Sequence, residues 1–195
     1  MSIVVDVANV VKAYLKRIEE GLPEAERPRR CGRCRSKRRP HRHGWFWRTV
    51  FTRMQRWTVP VLRFRCPDCK KTMSLPPNFV ESHHQTAVDV KEEVIRQRCE
   101  QRSLAEIAKE TLSATGGSYA EKTLWRWLRD WEARRARQEA GLWSLLLCRG
   151  LDEPLPRERK NAWSALFVIW PQTDDGESLL SALLRLDRSF ALAPV

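Results

Sequence analysis

Ile3, Val4, Val7, Val10, Val11, Tyr14, Leu15 and Ile18 recur at three- and four-residue intervals. This spacing predicts an amphipathic helix over residues 3–20 that stops near Gly21 and Pro23. Its first use is to cover an apolar patch of a neighbouring domain; a role in oligomerisation is the second. Further on the period changes. "GWFWRTVFTRM" and "WTVPVLRFRC" are rich in aromatic and β-branched residues with basic residues between them, which predicts two antiparallel strands. Pro60 should confine its strand to a sheet edge, and the paired prolines of "SLPPN" should end the unit.

Helical spacing returns over residues 80–102, with Val88, Val90, Val94, Ile95 and Cys99 as the apolar stripe. "SLAEIAKE" opens on Ser103 with Glu106 three residues later, a capping box, and "SYAEKTLWRWLRDWEARRARQ" repeats the device with Ser118 and Glu121. Leu124, Trp127, Leu128 and Trp131 form the inner face of this last helix, which should run into "GLWSLLLC" or break near Gly141. After the Pro-rich "GLDEPLPRERK", "NAWSALFVIW" and "ESLLSALLRLDRSFAL" predict two short helices. The fold class that follows is α+β and mainly helical. It places an N-terminal helix at 1–22, a small four-cysteine zinc ribbon with a β-hairpin at 28–76, a helix-turn-helix-like domain at 79–149 and a helical hairpin at 161–195.

Composition adds a partner. The 195 residues are 42% apolar, enough for a core, and carry a net charge of +12 with a pI near 10. From Arg27 to Lys71 there are sixteen Lys or Arg and one acid, Asp68; this local excess of +15 leaves the rest of the chain at −3. The basicity therefore belongs to one segment, which points to a polyanion. "MSIVVDVANVVKAYLKRIEEGLP" lacks the charge and cleavage pattern of a secretory signal, and the longest apolar runs fall short of the roughly 20 residues needed to cross a bilayer. A cytoplasmic, nucleoid-associated protein is expected.

Four of the six cysteines form two Cys-x-x-Cys pairs, Cys31/Cys34 and Cys66/Cys69, with 31 residues between the pairs. Each pair directs two thiolates to one side of a tight turn, and two such knuckles supply the four corners of a tetrahedron, which suits one structural Zn²⁺. His41 or His43 could replace a cysteine, but a closed four-sulfur site leaves no vacancy for them. It also leaves no open position for catalysis. His83 and His84 are expected in solvent, and Cys99 and Cys148 as small apolar side chains.

Around the knuckles, Arg29, Arg30, Arg33, Arg35, Lys37, Arg38, Arg39, Arg42, Arg63 and Arg65 are the candidate DNA phosphate contacts. The aromatics among them, Trp45, Phe46, Trp47 and Trp57, are expected mostly in the core, with base stacking as the second use. In the two capped helices, Tyr119, Lys122, Thr123, Arg126 and Arg129 should flank the outward, groove-facing side, with Ser118 at the helix start near phosphate. The connection is longer than that of an ordinary helix-turn-helix, and a plain helical hairpin with a solvated charged face is the alternative.

These features together, a Cys-x-x-Cys, a basic stretch with His, the "RFRCPDC" knuckle, "SLAEIAKE" and "TLWRWL", resemble the N-terminal zinc-finger and helix-turn-helix region of bacterial insertion-sequence transposases. They also resemble short proteins that carry this region alone. The resemblance covers roughly residues 28–132, and "LRFRCPDCKK" is its most specific part. It implies binding of element ends. Transposases of this kind cut with a separate RNase H-like domain holding three carboxylates, and here about 60 residues follow the second helix. Asp152, Glu153, Asp174, Asp175, Glu177 and Asp187 lie there without the alternating strands and helices of such a domain. The expectation is therefore a zinc-dependent, sequence-specific double-stranded-DNA-binding protein and not an enzyme. It would serve as an accessory or regulatory factor in transposition or recombination. A recombinase, a transposase subunit or a second copy of the chain is the expected protein partner, for which the C-terminal helices offer a surface if they do not complete the core. The rivals are an RNA-binding zinc ribbon, a transcription regulator unrelated to mobile elements and, last, a compact nuclease using Asp174 and Asp175.

Overall fold

A computed structural model of the chain describes residues 7–21, 27–111, 118–150, 162–170 and 177–192. Helix α1 (Val7–Glu19) follows the predicted period, burying Val11 and Tyr14 and ending on Gly21 at φ +85°. The predicted positions 3–6 lie outside the described residues. The Tyr14 hydroxyl donates to the Pro60 carbonyl at 2.6 Å, and its ring meets Phe79 edge-on at 5.6 Å.

Strands β1 (His41–Phe51), β2 (Arg56–Arg65) and β3 (Thr72–Leu75) form an antiparallel sheet in the order β1-β2-β3. The predicted hairpin is present. Its turn is closed by the Thr52 and Gln55 backbones at 3.0 Å and by the Thr52 hydroxyl. The short β3 is an addition to the predicted pair, and it makes β2 central, so the expectation that Pro60 marks an edge strand is corrected. The physical rule survives locally: β3 pairs only with Leu62 to Arg65. Pro60 lies beyond its end: one side pairs with Trp47 of β1, and on the side that β3 leaves open its carbonyl accepts from Tyr14.

A bulge between Arg42 and Trp45, with Gly44 at φ +97°, restores the alternation of β1. Val50 and Val59 then enter the helical core, whereas Trp45 and Trp47, in the opposite phase, lie on the other face.

Helix α2 (Val88–Cys99) buries Val88, Val90, Val94 and Ile95 as predicted. It starts later than 80 because the preceding segment bridges to the sheet: the Ala87 N–H donates to the Phe51 carbonyl at 2.8 Å, and Val80 pairs with Ala87. α3 (Leu104–Glu110) has the predicted capping box, with Ser103 and Glu106 satisfying each other's backbone N–H groups. α4 (Glu121–Arg137) does not: Ala120 is its N-cap, with no side-chain bond. The chain breaks at Gln138, three residues before Gly141, and α5 (Glu139–Cys148) follows.

α6 (Ala162–Ile169) and α7 (Leu179–Leu192) pack on α2, and α7 also on α4 and α5. One apolar core joins Val50 and Val59 of the sheet to Ile95, Ile107, Leu124, Trp131, Leu146, Leu166 and Leu183. At about 2 kcal/mol per fully buried large aliphatic side chain, this core dominates the stability of the fold. Within it α2, α3 and α4 pack together, with α3 and α4 against one another.

Candidate metal centre and basic surface

The sheet brings the two knuckles together. The first lies shortly before β1 and the second between β2 and β3, so pairing of His41 with Arg65 sets them side by side. The sulfurs of Cys31, Cys34, Cys66 and Cys69 all lie within 4.8 Å of one another, with Cys31 Sγ 3.7 Å from Cys69 Sγ and Cys34 Sγ 3.6 Å from Cys66 Sγ. A tetrahedron with metal–sulfur bonds of about 2.3 Å has edges of about 3.8 Å, so the four thiols could hold one metal ion. Cys31 and Cys66 are buried, Cys69 is half-buried and Cys34 faces solvent.

Backbone geometry prepares the ligands. The Arg33 N–H donates to Cys31 Sγ at 3.4 Å, and the Arg35 N–H closes the knuckle on the Cys31 carbonyl at 3.0 Å. Burial tends to raise the Cys31 pKa, but N–H donors from Cys34 and Arg33 and contact with neighbouring thiols outweigh it and bring the group down to about 7. Cys34 receives a lowering contribution from the Ser36 backbone, yet desolvation and sharing with the other three sulfurs push it up to about 11. Arg35 and Lys70, each one residue past the second cysteine of its knuckle, have φ of +56° and +58°. In this left-handed region glycine is at ease and other residues are strained by about 1–2 kcal/mol.

Asp68 spans the knuckles. It accepts from the Ser36 hydroxyl and forms an ion pair with Arg38 at 2.9 Å, and these contacts hold its carboxyl below the usual range. Arg38 is therefore partly committed to structure. Arg39 donates to the Arg27 carbonyl at 2.9 Å, Arg63 reaches the Thr72 hydroxyl at 3.3 Å, and Arg65 the Lys70 carbonyl at 3.3 Å. Arg29, Arg33, Arg35, Lys37, Arg38, Arg39, Arg42 and Arg65 are exposed, and Arg30 and Arg63 half-buried. They belong to the segment that carries the four cysteines. His41 and His43 are exposed on β1 outside the sulfur cluster.

On α4, Leu124, Trp127 and Trp131 are buried and Lys122, Arg126 and Arg129 exposed, as the periodicity predicts. Tyr119 is a correction. It is half-buried, its ring 4.8 Å from that of Trp127 and its hydroxyl 3.2 Å from that of Thr86, so it does not face outward. Thr123 is likewise half-buried and Ser118 is exposed without capping the helix. Arg129 pairs with Asp130 at 2.9 Å and lies over the ring of Trp125, an exposed aromatic that the periodicity does not single out.

A second correction concerns the ribbon aromatics. Trp45 and Trp47 are 59% and 63% exposed, not core; Phe46 and Trp57 are half-buried. A two-stranded unit would need these rings for its core, but the helical core takes the other face of the sheet through Val50 and Val59, and the two tryptophans of the edge strand β1 stay in solvent.

A cleft of about 530 Å³ lies between the segment after the ribbon and α4 and α7, lined in part by Glu81, His84, Trp127, Arg134 and Asp187. At its side Lys91 is fully buried. It pairs with Glu81, meets His84 Nδ1 at 3.0 Å and lies over the Trp127 ring at 5.3 Å. Arg134 joins Glu81 at 2.8 Å to Asp187. Burial opposes the charge on both members of the pair, drawing Lys91 below its usual value, while Lys91 and Arg134 keep Glu81 ionised. His84 is exposed as expected, but partial desolvation and the Lys91 charge beside its ring draw its pKa down. The apolar periodicity hides this network, because Lys91 sits on the same helical stripe as Val88 and Val94.

Of the acids weighed for a nuclease, Asp152, Glu153, Asp174 and Asp175 lie outside the described residues. Glu177 pairs with Arg185 and Arg149, and Asp187 with Arg134 and Gln138. Among the described residues no helix is long and apolar enough to cross a membrane. In comparisons with known proteins, no family model matches the chain, and neither a curated protein nor a solved structure is similar enough to match.

Proposed function

We propose that the chain is a zinc-ordered DNA-binding protein, in which the basic ribbon grips phosphates and α4 supplies sequence selection. The observation that carries the reading is the setting of the four sulfurs. They lie within a segment of sixteen cations whose single acid, Asp68, is engaged by Ser36 and Arg38. Four thiolates at tetrahedral spacing suit zinc, which here would order a surface instead of activating water. Lys122, Arg126 and Arg129, exposed on a helix whose other face is locked by Leu124, Trp127 and Trp131, suit major-groove contacts in a helix-turn-helix arrangement with α3. The resemblance to transposase DNA-reading regions adds the role of accessory or regulatory factor for a mobile element, with no catalytic step assigned to this chain.

The test is fluorescence anisotropy of a labelled duplex at stepped salt, with protein zinc-loaded or treated with chelator. Several phosphate contacts should give a log–log salt slope of about −0.9 per contact, and chelation should abolish binding. Binding that ignores salt, or survives complete loss of metal, would contradict the reading. An RNA-binding ribbon is the second reading, favoured by the inward Tyr119 and the exposed Trp45 and Trp47; a structured-RNA arm in the same titration separates the two.

A further inference from the structure

Trp45 and Trp47 occupy alternate positions on one face of β1, where strand geometry spaces their backbone positions about 7 Å apart. Both are more than half exposed, and both lie on the face opposite Val50 and Val59. Across the strand pair they face the buried Leu62 and Pro60, yet the greater part of each indole stays in solvent. An edge strand normally avoids such a pair, since two bare indoles invite association.

The surroundings specify what they meet. Arg42 and Arg56 share this face, one toward each end of the strip, by their register opposite Phe64 and Phe51. Both are exposed, and β1, β2 and β3 contain no acidic residue. Between the tryptophans and Arg56 the face continues through the paired Thr49 and Thr58, which are polar. Pro60, Leu62 and Phe64 of the same face are buried, so the apolar area it offers to solvent is mainly the two indoles, less than a bilayer-binding surface needs. A chain of π-faces joined by anions matches the pattern better.

We propose that Trp45 and Trp47 form a stacking platform for unpaired bases, with Arg42 and Arg56 taking the flanking phosphates. Single-stranded nucleic acid is thus a ligand of the ribbon's outer face. Stacking on exposed aromatics tolerates any base and does not need the major groove, so this surface works apart from α4. The proposal rests on the nucleic-acid reading of the ribbon only for its charge.

The experiment compares zinc-loaded wild type with W45A/W47A and with W45F/W47F, binding labelled 12-mers of dT, of U and a 12-base-pair duplex by anisotropy. Zinc content and circular dichroism check folding, which exposed positions should leave intact. Stacking of one base on each ring predicts a loss of at least about 30-fold on single strands in the Ala variant, with most of the affinity kept in the Phe variant and duplex binding changed less than about twofold. The dT and U arms tell whether the strand is DNA or RNA. Equal losses on duplex and single strand, or none on either, overturn the platform, as does a wild type that binds duplex but no single strand. Wild type that binds neither fails the wider function as well. Dimers of wild type that dissociate on the Ala change, with single-strand binding unaltered, would assign the face to a second copy instead.

Discussion

Arg38 Nη1 lies 2.9 Å from Asp68 Oδ1, joining the residues beyond the first knuckle to the interior of the second. Ser36 binds the other carboxylate oxygen and accepts the Arg38 N–H at 3.0 Å, so three groups hold two metal-binding turns in register. The lone acid of a segment of sixteen cations thus ties together the two cysteine turns that could hold a metal ion.

Asp68→Ala should therefore weaken metal binding without removing a ligand. Outer-shell partners of metal sites are worth about 10- to 100-fold in affinity, and an exposed one should lie at the lower end, near tenfold. Competition with a zinc-binding dye measures it. Unchanged affinity would leave Asp68 as a surface charge only.

Arg35 and Lys70 hold left-handed backbone at matching positions after the two knuckles. Glycine there would relieve strain, offset partly by its greater chain entropy. Arg35→Gly and Lys70→Gly should thus leave stability equal or raise it by up to about 1 kcal/mol, while each flattens the salt slope of DNA binding by about one unit. Urea unfolding beside salt-stepped anisotropy reads both. A loss of stability with an unchanged slope would mean these side chains serve the fold.

The buried Lys91–Glu81 pair sets up an asymmetry. Glu81→Ala strands a fully buried ammonium, whereas Lys91→Met leaves Glu81 paired with Arg134 at 2.8 Å. The first should cost about 3–5 kcal/mol in denaturant unfolding and the second clearly less. Equal costs would contradict the role of Arg134 as the second partner.

Asp89 accepts the N–H of Arg53 at 3.0 Å and of Val90 at 2.8 Å, docking the hairpin turn onto the start of α2. Burial outweighs these donors and raises its pKa to about 6 from 3.8. The folded state then holds the proton more tightly, so the associated stability is full below about pH 4 and lost as pH rises through 6. At about 1.4 kcal/mol per pH unit the change is on the order of 3 kcal/mol. Asp89→Asn should remove that part of the pH dependence, seen as the difference between the two proteins' unfolding free energies across about pH 4–7. Parallel curves would contradict it.

How far the sequence revealed this depended on whether the signal was local. The Ser103/Glu106 cap formed because its partners are three residues apart and nothing competes for them. The matching Ser118/Glu121 signal failed because Tyr119 docks on Trp127 and Thr86, moving the helix start to Glu121 behind an Ala120 cap. The four cysteines were legible from spacing alone. Burial was not: which face of the sheet meets the helices, and so leaves Trp45 and Trp47 outside, is set by distant segments that pack on Val50 and Val59. The Lys91–Glu81–Arg134 network was equally hidden, being assembled from three separated segments.

The most direct test of the central claim is selection of bound sequences from a random duplex pool by zinc-loaded protein, beside Arg126→Ala and Cys66→Ser/Cys69→Ser. One enriched duplex motif is expected, degraded at particular positions by the α4 change and lost altogether with the knuckle. Enrichment without any motif, or a motif indifferent to Arg126 and to the cysteines, would contradict a zinc-ordered protein that reads DNA through α4.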